Sequence, residues 1–179
     1  KLRSFGDNDL SYNYRMTEFA GTLGSVGLKK LDNQNCIRIE NSLLLSYLLK
    51  DNEFLKVRVG GETEYCVYYA VLIELVKHIP NLEQKLKNLQ DMGIFIRKTW
   101  PPLHKHPHFN PGPHVPSRGM PWRADDYKGQ MRKVDYKDQV LKNVTNLCPH
   151  KIFEVYVHPP VDSELIKVAA NQINREFSA

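Results

Sequence analysis

Apolar residues recur at helical spacing near the start of the chain. Phe19, Leu23 and Val26 fall at i, i+4 and i+7 within Thr17 to Leu31, which predicts a helix there. Gly21, Gly24 and Gly27 interrupt it, and each costs roughly 1 kcal/mol against alanine in a helix interior. Close approach of another backbone is the usual compensation, so the segment reads as a tightly packed interface helix. Ile37, Leu44, Leu45 and Leu48 mark a second helix running to about Lys50, with Asn41 as the polar exception on its apolar stripe. Asp51-Asn52 then ends the helical pattern.

The period next changes from helix to strand. Leu55 to Val59 alternates apolar and basic positions, Gly60-Gly61 turns, and Tyr65 to Leu75 is rich in aromatic and β-branched residues, so two strands are predicted. Pro80-Asn81 opens a third helix with Leu82, Leu86 and Leu89 on its apolar face. Gly93 is placed as its left-handed cap, and Ile94 to Lys98 follows as a strand. Trp100 to Pro121 holds seven prolines and four histidines, which predicts a long loop without regular structure. Asp125 to Lys142 has no assignable period. Ile152 to Val157 alternates as a strand, Pro159-Pro160 ends it, and Asp162 or Ser163 caps a last helix carrying Leu165, Ala169, Ile173 and Phe177. The order predicts an α+β domain whose small, mainly antiparallel sheet is covered on one face by helices.

Composition bounds this picture. With 179 residues, 41% hydrophobic and 25% charged, and a mean hydropathy of −0.48, the chain has the makeup of a soluble globular protein. Roughly 70% of the unfolded surface is buried at this size, so a core forms without disulfides or a structural metal. The net charge of +5 comes from 25 Lys and Arg scattered among 20 Asp and Glu. With no block of like charge, a mixed solvated surface is expected and no nucleic-acid partner. Cys36, Cys66 and Cys148 are odd in number and include no CxxC pair, which argues for reduced thiols in the cytoplasm. The longest apolar run, Cys66 to Ile73, is far short of the roughly 20 residues of a membrane span. The start, Lys1-Leu2-Arg3, has neither an initiator methionine nor an apolar signal core, so the chain is expected to begin inside a larger protein.

Two stretches hold candidate chemistry. In Pro101-Pro102-Leu103-His104-Lys105-His106-Pro107-His108, followed by His114, imidazoles alternate. They suit a metal, a ligand-contacting loop or merely a polar surface, and the lack of carboxylates before Asp125 argues against the metal. Ser11 to Glu18 precedes a helix, where backbone N–H groups with Asn13 and Arg15 make an anion pocket. The competing reading is that Thr17 or Asn13 caps the helix while Arg15 pairs with Glu18 or solvent. No GxGxxG, P-loop, HExxH or GxSxG motif is present. Trp100, Tyr65, Tyr68 and Tyr69 suggest a stacking surface for a single-stranded nucleic acid, but sheet packing explains the strand tyrosines better.

Leu2-Arg3-Ser4-Phe5-Gly6, then Tyr12-Asn13-Tyr14-Arg15-Met16-Thr17-Glu18-Phe19, then Leu23-Gly24 and Leu28 to Asp32 closely resemble the DegT/DnrJ/StrS family of sugar aminotransferases. The likeness continues through Leu89 to Ile94, Pro101-Pro102-Leu103-His104 and Val155 to Pro160. It leaves out about Asn110 to Gln139, a longer and more Pro/Arg-rich loop than is usual in the family. The resemblance implies a type I aminotransferase fold, with residues 1–50 as interface helices joining a missing large domain. Residues 51–179 would be its small C-terminal α+β domain, with a long loop at 100–139.

The resemblance also implies pyridoxal phosphate as cofactor and a homodimer with active sites at the subunit interface. The whole enzyme would transfer an amino group from an amino acid to a nucleotide-linked keto sugar, in polysaccharide biosynthesis. Asn13 would reach the cofactor phosphate of the neighbouring subunit, with Arg15 in the same motif. His104, and more weakly Trp100 and His106, would lie near the substrate. The lysine that binds the cofactor lies upstream in the family, so no catalytic residue is assigned here and the chain alone is expected to be inactive. A same-family sugar dehydratase and a non-catalytic dimerisation or binding module are the competing expectations.

Overall fold

The computed structural model describes residues 15–61, 63–106, 140–148 and 151–178. The chain forms two compact units, Lys1–Cys36 and Ile37–Ala179.

In the first unit, helix α1 (Glu18–Leu48) begins. The Thr17 hydroxyl accepts the Ala20 N–H at 3.2 Å and the Gly21 N–H reaches the Thr17 carbonyl at 2.9 Å, which closes the first turn. Within this unit Phe19, Leu23, Val26 and Leu31 are exposed. A methyl group added at Gly24 or Gly27 would meet nothing within 4 Å, and one at Gly21 would meet only the Met16 sulfur at 3.8 Å. The close backbone approach expected at these glycines is therefore not made by the described residues of this chain.

The two helices expected from the sequence are one continuous helix of 31 residues. Asp32, Asn33 and Asn35 are poor helix formers, but each costs only a fraction of a kcal/mol. With no proline or glycine among them, they do not stop a helix.

In the second unit, the end of α1 buries Asn41, Ser42 and Leu45, and Leu49 just beyond it. The polar exception on the stripe has a clear role. Asn41 Nδ2 donates to the carbonyls of Val157 and Val161, both at 2.9 Å, so a buried amide holds the chain that follows the last strand.

Four strands, β1 (Leu55–Arg58), β2 (Val71–Leu75), β3 (Ile96–Lys98) and β4 (Ile152–Val155), form one antiparallel sheet in the order β1-β2-β4-β3. The register sets Leu55 against Leu75, Ile73 against Phe153, and Ile96 against Val155. Alternation then puts Val71, Ile73, Leu75, Phe153 and Val155 on one face. Leu86 and Leu89 of α2 (Leu82–Asp91), and Ile166, Ile173 and the flanking Phe177 of α4 (Ser163–Glu176), pack in the same core cluster. Phe153 and Phe177 stack at 5.3 Å. Each such buried side chain is worth roughly 1.5–3 kcal/mol, and this layer is where the unit's stability is concentrated.

The expected caps form. Asp162 Oδ1 accepts the Leu165 N–H at 2.9 Å, and Gly93, at φ 84, takes the left-handed position after α2. Two expectations need correction, and one unassigned segment is followed by a helix. Tyr65 to Ala70 is not strand, because β1 is only four residues long and its register with β2 ends at Val71's neighbour Leu72. Tyr68 instead turns inward, and its hydroxyl accepts the Gly60 N–H at 2.7 Å. A short helix, α3 (Lys142–Leu147), starts at the last residue of the segment without a period, whose part from 125 to 139 lies outside the described residues. The proline-rich loop also contains a 3-10 turn, Leu103–Lys105, while its part from 107 to 139 lies outside the described residues.

Candidate functional site

The sheet face opposite the helices has a different chemistry. Alternation gives it Lys56, Arg58, Leu72, Glu74, Arg97 and Glu154, and register aligns Leu72, Glu154 and Arg97 across three strands. Arg58 pairs with Glu74. Arg97 Nη2 donates to Glu154 Oε2 at 3.4 Å, while Nε lies 3.4 Å from Oε1 as an ion-pair contact and has no hydrogen-bond partner among the described residues. Glu154 is buried, with a side chain only 6% exposed, whereas the Arg97 side chain keeps 39% exposure.

Aromatic rings close around this pair. The Arg97 guanidinium carbon lies 5.3 Å from the ring centres of both Trp100 and Tyr156, within cation–π range. Tyr69 meets Tyr156 edge-on at 5.4 Å, and His158 does so at 5.7 Å. Burial works against the charge on Arg97, but the hydrogen bond and charge of Glu154 outweigh it and hold the guanidinium pKa above its ordinary value. Burial, with help from Tyr69, pushes the Tyr156 phenol up.

Of the residues expected from the sequence, Trp100 belongs to this cluster and is 67% exposed. His104 is buried in the 3-10 turn, and the half-buried His106 closes that turn by donating its N–H to the Leu103 carbonyl at 2.9 Å. Arg15 is exposed ahead of α1 in the first unit, where the Glu18 and Phe19 N–H groups have no intrahelical acceptor. Asn13 lies outside the described residues, as do His108 and His114. A cavity of about 720 Å³ beside the start of α2, lined in part by Lys77, His78, Lys98 and Lys151, holds none of the expected residues.

Sequence reasoning missed Arg97, Glu154 and Tyr156 as a group. Their signal was a charged residue at a polar position of each of two predicted strands, and pairing those positions required the register. Cys36, Cys66 and Cys148 form no disulfide. No described helix is long and apolar enough to cross a membrane.

The model of the DegT/DnrJ/EryC1/StrS aminotransferase family matches residues 1–132. No curated protein matches the chain. Among solved structures, Helicobacter pylori PseC, an aminotransferase involved in the biosynthesis of pseudoaminic acid, is similar at 15% identity and a TM-score of 0.66, over 95% of this chain and 40% of that one. S. venezuelae DesV, solved with a ketimine intermediate, is similar at 12% identity and 0.67, over 99% and 43%. A GDP-4-keto-6-deoxymannose-3-dehydratase with a trapped PLP-glutamate geminal diamine is similar at 20% identity and 0.57, over 98% and 39%. The chain thus spans about two fifths of these proteins, and its fold is part of the type I aminotransferase fold.

Proposed function

The chain belongs to the DegT/DnrJ/EryC1/StrS aminotransferase family, and we propose that it is the C-terminal portion of an enzyme that moves an amino group from an amino acid to a nucleotide-linked keto sugar. The observation that carries this reading is the family match over residues 1–132, which includes the Asn13 to Glu18 motif. The assembly is a cytoplasmic homodimer working in polysaccharide biosynthesis. Residues 1–50 join a large domain, and residues 51–179, with the loop at 100–139, form the small one.

The family's cofactor is pyridoxal phosphate, which when bound supplies an electron sink for chemistry at the amino-bearing carbon. The residues present fit its phosphate end. Arg15 is exposed just ahead of a helix start, and a cation beside a helix N-terminus is the chemistry that receives a dianion. In this reading Arg15 and Asn13 hold the phosphate of the neighbouring subunit's cofactor. No lysine of this chain serves as the covalent anchor, so the chain alone is inactive. His104, fixed in its buried turn, orients the sugar, while Trp100 and His106 border it and exclude water. A same-family dehydratase is the second reading, favoured by the likeness to the GDP-4-keto-6-deoxymannose-3-dehydratase.

The test uses the natural-length gene product, incubated with pyridoxal phosphate, reduced with borohydride and mapped by mass spectrometry. A single adduct on a lysine outside residues 1–179 is the expected result. No specific adduct would remove transamination and leave the dehydratase or a non-catalytic module.

A further inference from the structure

The helix-covered face of the sheet changes character at one edge. Alternation carries its apolar rows to Leu75 on β2, Phe153 on β4 and Ile96 on β3, and the next positions of the same rows are Lys77, Lys151 and Lys98. The Leu75 N–H donates to the Lys151 carbonyl at 2.7 Å, which extends the register to that lysine. β2, β4 and β3 are neighbours in the sheet, and adjacent strands lie roughly 4.8 Å apart, so the three lysines are rooted side by side. All three line the cavity of about 720 Å³, and His78 lines it with them.

An apolar residue would continue each row, whereas lysines gather like charges that need partners. Lys77 has them: it pairs with Glu53 and lies 4.9 Å over the Phe54 ring. Lys98 pairs with Glu83, whose side chain is 84% exposed, and so exposed a pair contributes little. Lys151 has no ion-pair partner among the described residues. With Glu83 swung aside, Lys98 and Lys151 present two positive charges, the complement of a phosphate dianion. The lining also includes Leu75, Ile79 and Leu82, and the cavity volume is in the range that holds a small molecule.

We propose that this cavity binds a soluble small molecule through a phosphate or diphosphate group held by Lys98, Lys151 and His78, with its organic body against Leu75, Ile79 and Leu82. The inference goes beyond the aminotransfer reading and does not rest on it. A phosphate offers several acceptor oxygens, so donors rooted on two strands and the loop after β2 can engage it at once.

The experiment is calorimetry on the natural-length protein, loaded with cofactor and freed of the excess, with inorganic pyrophosphate, glycerol 3-phosphate and succinate as probes. Pyrophosphate is expected to bind at one equivalent per chain with a Kd below about 1 mM. Lys151→Gln is expected to weaken it about fivefold, and Lys98→Gln with Lys151→Gln about twentyfold. Glu83→Gln frees Lys98 and is expected to tighten binding about threefold. Lys167→Gln makes the same charge change on α4, outside the cavity, and is expected to leave the affinity unchanged. Lys151 and Glu83 are exposed, so these two variants keep the test alive if the Lys98 variant fails to fold.

No saturable pyrophosphate binding below about 1 mM, weakening by Glu83→Gln, an equal loss in Lys167→Gln, or succinate bound as tightly as pyrophosphate would each overturn the site. Cosedimentation with vesicles containing phosphatidic acid, lost in Lys151→Gln, would assign the phosphate to a lipid headgroup and overturn the soluble ligand.

Discussion

One helix, α1, runs through both units and is treated differently in each. Its second part sets Leu45 fully into the core beside Leu49, and its first part leaves Phe19 76% and Leu23 58% exposed. Both parts carry apolar residues at the same i, i+4 spacing. The difference teaches that periodicity reports a face but not what covers it. In the second unit the cover comes from the chain's own sheet and α4. In the first, the apolar face and three small residues suit the interface role read from the sequence.

Matched truncations bear most heavily on this contrast. Leu45→Ala is expected to cost about 2–5 kcal/mol of unfolding free energy by urea denaturation. Leu23→Ala, measured in the same protein held monomeric by dilution, is expected to stay within about 0.5 kcal/mol. Equal costs would mean that the first part is covered within its own subunit. Next in size is Gly24→Ala. Against open solvent it favours the helix by about 1 kcal/mol, but against a partner's backbone it overpacks by about 1–3 kcal/mol. Sedimentation of the natural-length protein is therefore expected to show dimerisation weakened about tenfold. An unchanged or tighter dimer would place the interface elsewhere.

The smallest effect separates the two sheet faces. The Tyr156 pKa is raised in the folded state, chiefly by burial, so the folded protein keeps this proton longer than the unfolded chain. The contribution is fully present below the ordinary tyrosine value of about 10 and is lost as pH rises through the higher folded value. Denaturation across that alkaline range is expected to show a steeper fall for the unaltered protein than for Tyr156→Phe. Superimposable curves would show that this phenol is solvated alike in both states.

Local chemistry made much of the second unit legible. Asp162, Gly93 and the apolar face of α2 each act through residues within a turn or two of themselves and formed where the sequence indicated, and α4 buries Ala169, Ile173 and Phe177 as expected but Ile166 in place of the exposed Leu165. Tyr65 to Ala70 misled because aromatic and β-branched content favours a strand without supplying a partner for one, and Tyr65, Val67 and Tyr69 are exposed. Tyr68 is partly buried through a turn rather than through a ladder. The continuity of α1 was hidden because Asp32 to Asn35 resemble a linker in composition while costing a helix little. The pairing of Arg97 with Glu154, 57 positions apart, depended on a register that no local pattern specifies. Of the expected site residues, Trp100 joins that cluster and His104 is buried nearby in sequence, and motif likeness rather than periodicity pointed to both.

Asn41 also sets an order of events. Its two carbonyl acceptors lie 116 and 120 residues downstream, and β4, the strand that joins β2 to β3, emerges just before them. During synthesis the nascent helix cannot seat its amide until Val161 has left the ribosome. At about 5–20 residues per second, that leaves its apolar stripe without its final cover for several seconds or more, a window in which a chaperone has a defined segment to hold.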